Sequence, residues 1–377
     1  GLVIYLDDMA SYYTITHNIL HSLQKQKTQG VVWSIMYVKG IGNRLLNNIV
    51  ADIEAHEVIG AHGFINDPNY DLEFGRNVVY KAGRSLYALR NWNADKFAYV
   101  DENTFYDGDD ADYTVGGVPD ASTYDDWRRA NGFRYDQFSQ IADPLFMNAD
   151  AQDYRLRFDS PVYRTGYEDI DPAPIGLRED FPFADPHEDI ARLFIAAQGS
   201  HAGRAFVDLQ SGDACSLNLT ARTLSGFVAD ISGDTVTWAS DRPDVATVDE
   251  SGVVRAVSTG IARISAMLTR GDRQHTIALD ILVDDSFAAA EIIAPRTTIK
   301  NGEQLALKVC GRTRLGRWLN AGELSATFYS TGGNAAYVTP EGVVMTQHKG
   351  CIDVTAVVTR GSVRHSATVT ITVDTVR

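Results

Sequence analysis

Residues 252–283 read "GVVRAVSTGIARISAMLTRGDRQHTIALDILV" and residues 342–373 read "GVVMTQHKGCIDVTAVVTRGSVRHSATVTITV". The second stretch follows the first at a constant offset of 90 without a gap, and 11 of the 32 positions are identical. The register extends upstream: Leu217 falls on Leu307, Leu219 on Val309, Trp238 on Phe328 and Val248 on Val338. A period of this length is one small domain, not one coil of a solenoid. Short alternating apolar runs separated by Gly and Asp predict the strands of a β-sandwich. Two tandem sandwiches are expected, over 190–285 and 286–377, and any chemistry is expected in the part that is not repeated.

Residues 1–182 have a different rhythm. An Asn recurs within an apolar frame at Asn18, Asn48 and Asn77, and more weakly at Asn103, with spacings of 30, 29 and 26. Each has an apolar residue three positions before it and another two after: Ile15 and Leu20, Leu45 and Val50, Phe74 and Val79, Val100 and Phe105. A right-handed parallel β-helix needs this pattern: each circuit of roughly 20–30 residues supplies short strands that stack on the circuit below. An Asn at the bend can tie down the turn backbone. The fold class expected is all-β, with the C-terminal coils of a right-handed parallel β-helix followed by two Ig-like sandwiches. A capping box from Ser122 to Asp125 predicts a short helix through Trp127 and Arg129, stopped by Gly132, as part of a cap on the open end.

Two resemblances attach to these regions. The run Asp143-Pro144-Leu145-Phe146, Asp153-Tyr154-Arg155-Leu156, Ser160-Pro161, Gly166-Tyr167 and Ile175-Gly176-Leu177 resembles the closing segment of bacterial right-handed parallel β-helix proteins of the pectin-lyase-like kind, many of them carbohydrate-active. Trp238, Ala246-Thr247-Val248, Gly252-Val253-Val254 and Gly260 resemble the bacterial Ig-like group 2 domain. The second copy departs from that pattern, with Phe328 for the Trp and Ala336-Tyr337-Val338 for Ala-Thr-Val. Physically, Trp238 is expected as a core plug between two sheets.

Composition narrows the partners. The net charge of −15 argues against nucleic acid, which needs a basic face. No apolar run is long enough to span a bilayer. Three cysteines are too few for a disulfide-stapled fold. Alternation turns Cys310 and Cys351 outward on opposite sheets, against a bridge, and places Cys215 in a core. The chain opens without an initiator Met on "GLVIYLDD", already strand-like, and is expected to be part of a longer precursor. The two resemblances imply an extracellular or bacterial cell-surface location. A monomer is expected.

The strongest catalytic candidates are Asp7 and Asp8 in "IYLDDMASYYTITHNIL". This coil resembles a recurrent one in β-helix glycoside hydrolases. With Leu6 facing in, Tyr5 and Asp7 face out. Glycoside hydrolysis needs a second carboxyl. In the resembling proteins an acid follows in the next coil, where this chain has Gly42, so Glu54 and Glu57 are the expected replacements, with Asp52 as a further acid nearby. Tyr5, Trp33, Tyr37 and Lys39 are expected to bind a polysaccharide or glycan. The same residues suit a non-enzymatic adhesin or glycan-binding stalk, with the Ig-like modules as spacers. A polysaccharide lyase is a further alternative, for which Lys39, Arg44 and Arg84 supply cations. No cofactor is expected. His56, Glu57 and His62 do not have zincin spacing. Calcium on Asp107, Asp109, Asp110 and Asp112 is left as an option, although the run lacks EF-hand spacing.

Overall fold

The computed structural model describes residues 2–23, 32–61, 69–178, 180–183 and 185–375. The chain is all-β apart from one short α-helix, Tyr124–Phe133, and single turns of 3-10 helix.

In residues 2–141 successive circuits of the chain contribute strands to three sheets, the last circuit adding to the first and third only. Leu2–Leu6, Val32–Val38, Ala55–Gly60, Ser85–Ala88 and Thr114–Val118 form the first. Thr14–Thr16, Arg44–Leu46, Leu72–Gly75 and Phe97–Asp101 form the second. Ile19–His21, Ile49–Ala51, Val78–Tyr80, Thr104–Tyr106 and Gln140–Ile141 form the third. Pairing between these circuits is parallel. The first sheet is mixed, because Ala121–Thr123 adds to its edge antiparallel. The registers explain the core. Ile15, Leu45, Phe74 and Val100 pair in one column, and Leu20, Val50, Val79 and Phe105 in another. Both columns pack in one continuous apolar cluster.

The Asn residues stand in a ladder at the bend between the second and third sheets. Asn48 Oδ1 accepts from the backbone N–H and Nδ2 of Asn18, at 3.1 and 3.0 Å. Asn77 Oδ1 receives the same pair from Asn48, and Asn103 Oδ1 the same pair from Asn77. The residue before each rung, His17, Asn47, Arg76 or Glu102, is left-handed, with φ between 54° and 63°. Such a conformation is uncommon for Arg or Glu, so the tight bend is held by the ladder and by the strands on either side of it.

The cap helix starts one residue later than the sequence suggests. Thr123, not Ser122, is the N-cap, and Asp126, not Asp125, completes the capping box. Thr123 is the last residue of the preceding strand, which sets the point where extended backbone gives way to helix. Trp127 from this helix is fully buried on the end of the stack, against Tyr87, Phe97 and Tyr135. Beneath it Asp136 accepts from Tyr87 Oη, Trp127 Nε1 and Ser139 Oγ at 2.8, 2.8 and 2.5 Å. Burial raises the Asp136 carboxyl to about 6, with Asp101 nearby adding to the effect.

The repeat of 90 carries through to the strands. Thr235–Ser240, Ala246–Val248, Val253–Ala256, Gly260–Arg270 and Arg273–Val283 recur as Ser325–Thr331, Ala336–Val338, Val343–Thr346, Gly350–Arg360 and Val363–Asp374. In each copy the long hairpin adds an antiparallel strand on one side and a short parallel strand on the other: Phe206–Leu209 in the first copy, Thr298–Lys300 in the second. Leu217, Val254, Ile264 and Ile281 fill the first core; Leu305, Val344, Val354 and Ile371 fill the second.

Trp238 and Phe328 hold equivalent positions. Each ring lies against the backbone of a left-handed glycine, Gly252 or Gly342, where a Cβ would come within 3.0 Å of ring carbons. The expected burial is met only in the second copy: Phe328 is buried, whereas Trp238 is half-buried at the margin of its core. All three cysteines are free thiols. Cys351 is exposed and Cys215 half-buried. Cys310 leaves its sandwich core as alternation requires, yet it is buried, because Arg164 and Glu291 cover it, with its sulfur 3.8 Å from Glu291.

Candidate functional site

The strand Leu2–Leu6 ends just before the two acids, and Asp7 opens a turn in which Ala10 N–H donates to Asp7 O at 2.9 Å. Leu6 packs inward and Tyr5 is about half exposed, as alternation predicts. The decisive neighbour comes from stacking. Leu6 pairs with Val38, so the next residue of each circuit, Asp7 and Lys39, are brought side by side. Lys39 Nζ lies 2.5 Å from Asp7 Oδ1 and 3.2 Å from Asp8 Oδ1. Lys39 itself is buried, 7% exposed. It is held as a counter-ion shared by the two acids.

This pairing decides the chemistry of Asp7. Hydrogen bonds from Lys39, and then from Tyr5, hold its carboxyl down at about 2. The same pairing with Asp7 raises the Lys39 ammonium above its ordinary range. A general acid for glycoside cleavage must carry a proton near neutral pH. Asp7 is held as an anion there, which does not suit the role of general acid and leaves that of nucleophile or base.

Tyr5 and Tyr37 pair across the first two circuits and meet edge-to-face at 5.5 Å. Lys39 Nζ sits 5.9 Å from the Tyr37 ring centroid. Burial raises the Tyr37 hydroxyl, with Asp7 and Glu57 both acting on it. Glu57 is thus the second acid on this face. Its neighbour is Ser34, whose hydroxyl donates to Glu57 Oε1. Gly60 is buried beneath this pair, and only a glycine fits: a Cβ there would lie 2.5 Å from Ser34 Oγ, 2.6 Å from Glu57 Oε1 and 3.0 Å from Tyr37. Trp33, which precedes Ser34 on the same strand, is 60% exposed.

Glu54 does not join this group. It lies with Asp52, Lys81 and Asp107 around a separate recess of about 570 Å³. The two candidate glutamates are three residues apart in sequence but belong to different faces, because the chain turns between Asp52 and the strand beginning at Ala55. Two of the four acids considered for calcium have other partners: Asp107 pairs with Arg84 at 2.8 Å and Asp109 accepts from Tyr106 Oη. Among the described residues no group of three His, Cys, Asp or Glu side chains is placed to hold a metal ion. His62 lies outside the described residues. Arg44, counted for a lyase, pairs with Glu73 on the second sheet.

Sequence reasoning missed Ser34 and Gly60. In Val32–Val38 four of the seven residues are buried, three of them consecutively, so no alternation marks Ser34 as part of a site. Gly60 reads as ordinary strand, and only the stacked neighbours show why a side chain is excluded there.

Residues 216–278 match the family model described as "Bacterial Ig-like domain (group 2)". The match lies within the first copy of the repeat and includes its half-buried Trp238. No curated protein matches the chain. Among solved structures, domains 4 and 5 of the S-layer protein SbsC align with 18% identity over 50% of this chain and 100% of that one, with a TM-score of 0.27. A structure of SbsC domains 1–6 aligns with 16% identity over 51% of this chain and 29% of that one, with a TM-score of 0.26. Drosophila N-cadherin EC1–4 aligns with 13% identity over 46% and 47%, with a TM-score of 0.20. Likenesses this low carry no weight for function. Among the described residues no helix is long and apolar enough to cross a membrane.

Proposed function

We propose that this chain is a glycan-binding segment of an extracellular or bacterial cell-surface protein. Residues 1–182 are read as coils of a right-handed parallel β-helix that present the binding face. Residues 190–285 and 286–377 are read as Ig-like modules that serve as spacers. The observation that carries the reading is the Lys39 clamp. It ties Asp7 and Asp8 to one ammonium, leaving the cluster one net negative charge, and it lies on the sheet that carries the exposed rings of Tyr5 and Trp33 and the half-buried ring of Tyr37. Sugars stack their apolar faces on aromatic rings, and rings exposed on a sheet surface suit a polymer better than a small metabolite. The Ig-like family match supports the surface setting. Glycoside hydrolysis stands second, since Glu57 supplies one carboxyl on this face while Asp7 is held at about 2.

Affinity electrophoresis against a panel of neutral and acidic polysaccharides tests the reading. Wild type should be retarded by at least one polymer, and Trp33→Ala with Tyr37→Ala should lose about tenfold or more in affinity, as when two stacking contacts are removed. Equal retardation of wild type and the double variant would overturn the site.

A further inference from the structure

The two modules are joined to the rest of the chain by different chemistry. The first is joined through an apolar core: Phe206 and Leu282 are buried in one cluster with Tyr163 and Ile170 of the segment that closes the stack. Tyr163 and Phe206 meet edge-to-face at 5.9 Å, and Gly203 abuts Ile170 O so closely that no Cβ would fit. The second module presents the outer face of a small sheet, Phe287–Ile293, Lys308–Thr313 and Trp318–Leu319. Val309 packs against the core of that module, so Lys308, Cys310 and Arg312 point away from it.

Cations carry the contacts of the second module. Lys308 Nζ binds Glu102 Oε1 of the stacked circuits and lies 4.3 Å from the Phe138 ring centroid. Glu102 also accepts from Tyr99 Oη at 2.6 Å and from Arg76 Nη1 at 3.3 Å. The Arg296 guanidinium lies 4.1 Å from the centroid of Phe133, the last residue of the cap helix. On the closing segment, Arg164 pairs with Glu291 at 3.4 Å and lies 4.8 Å from the Trp318 centroid, and Asn320 Nδ2 donates to Tyr167 O at 3.1 Å. Leu315 and Trp318 reach only the margin of the apolar cluster that the first module enters fully. Ion pairs and cation–π contacts at a partly exposed seam are individually weak, whereas the burial of two large apolar side chains is not.

We infer that the second module is a releasable strap: its cationic face docks on the stack and the closing segment, and it leaves them without unfolding while the first module stays in place. The spacer role then belongs to the released form. The inference holds whether or not the aromatic face binds glycan. Cys310 reports the docking. Its thiol lies under the seam, 1% exposed, covered by Arg164 and Glu291, and release uncovers it.

Alkylation of the full chain by N-ethylmaleimide, resolved at Cys310 by peptide mass spectrometry, tests this. Hydrogen exchange over Gly350–Arg360 monitors unfolding of the module itself. Lys308→Met and Glu102→Gln should each raise the Cys310 rate about five- to tenfold. The double variant should add little to either, because the two side chains form one contact. Arg296→Met should raise the rate by a smaller factor, independently of that pair. None of these three residues covers the thiol. Exchange over Gly350–Arg360 and alkylation of Cys215 in the first module should stay as in wild type. The proposal is overturned if Lys308→Met is alkylated at Cys310 as slowly as wild type, or if faster alkylation comes with faster exchange over Gly350–Arg360 or a faster rate at Cys215.

Discussion

The stacked circuits of residues 2–141 and the two modules behind them are both repetitive, but they bury different things. In the circuits, Asn48, Asn77 and Asn103 are fully buried and satisfied by the rung above and the rung below. In the modules the repeating interior is aliphatic and aromatic, and each copy encloses its own cluster. A polar ladder makes each circuit depend on its neighbours, whereas an apolar core makes each module self-contained. The consequence is that the circuits set the register of side chains such as Tyr5 and Tyr37 by stacking alone, while the modules repeat a shape.

The sharpest break between the two modules is predicted at their equivalent aromatics. Phe328→Ala should destabilise the second module by about 3–5 kcal/mol, the usual range for a buried large aromatic. Hydrogen exchange read over Gly350–Arg360 should report the loss, with little change in the circuits. In the circuits, Asn77→Ala should cost about 3 kcal/mol, because it strands the N–H and Nδ2 of Asn48 and leaves Asn103 Oδ1 and Leu45 O without Asn77 Nδ2. Its exchange footprint should spread to both adjoining circuits. A footprint confined to one circuit would contradict the ladder account.

Asp136 gives a pH-dependent test of the cap. Its carboxyl sits at about 6 in the folded chain and near 4 when unfolded. Between those values the folded state binds more protons than the unfolded state, so this group's contribution falls as pH rises from 4 to 6 and is restored as pH drops. The change amounts to about 3 kcal/mol at most. Urea denaturation of wild type against Asp136→Asn at pH 4, 5, 6 and 7 should show this slope in wild type alone. The gap between the two proteins should stay constant above pH 7. A smaller effect is expected at Trp238→Ala, about 1–2 kcal/mol, since the ring is only half-buried. A loss equal to that at Phe328 would erase the distinction drawn between the modules.

These contrasts also show what the sequence could convey. The 90-residue offset predicted the module strands because side-chain patterning and turn glycines are local. The Asn spacing predicted the ladder because one residue type recurs with its apolar frame, and Asn103 proved a full rung despite its weaker frame. The site was less legible. Tyr5, Asp7 and Trp33 are placed by alternation and can be read from one strand. The Lys39 clamp depends on how circuits stack across 32 residues, the offset of Leu6 to Val38, which differs from the spacing of 30 between Asn18 and Asn48. The separation of Glu54 from Glu57 hangs on a single bend. The half-burial of Trp238 is a tertiary outcome that the family-like motif does not encode.

The central proposal is that the outward face binds glycan, with Asp7 held as an anion by Lys39 and so not available as the general acid of a hydrolase. The most direct measurement is a reducing-end assay on a polysaccharide that the wild-type chain retains, run beside binding for wild type and Asp7→Asn. The account predicts retention by both proteins and no new reducing ends from either. Release of reducing ends by wild type, abolished in Asp7→Asn while binding persists, would contradict it and make Asp7 a catalytic residue.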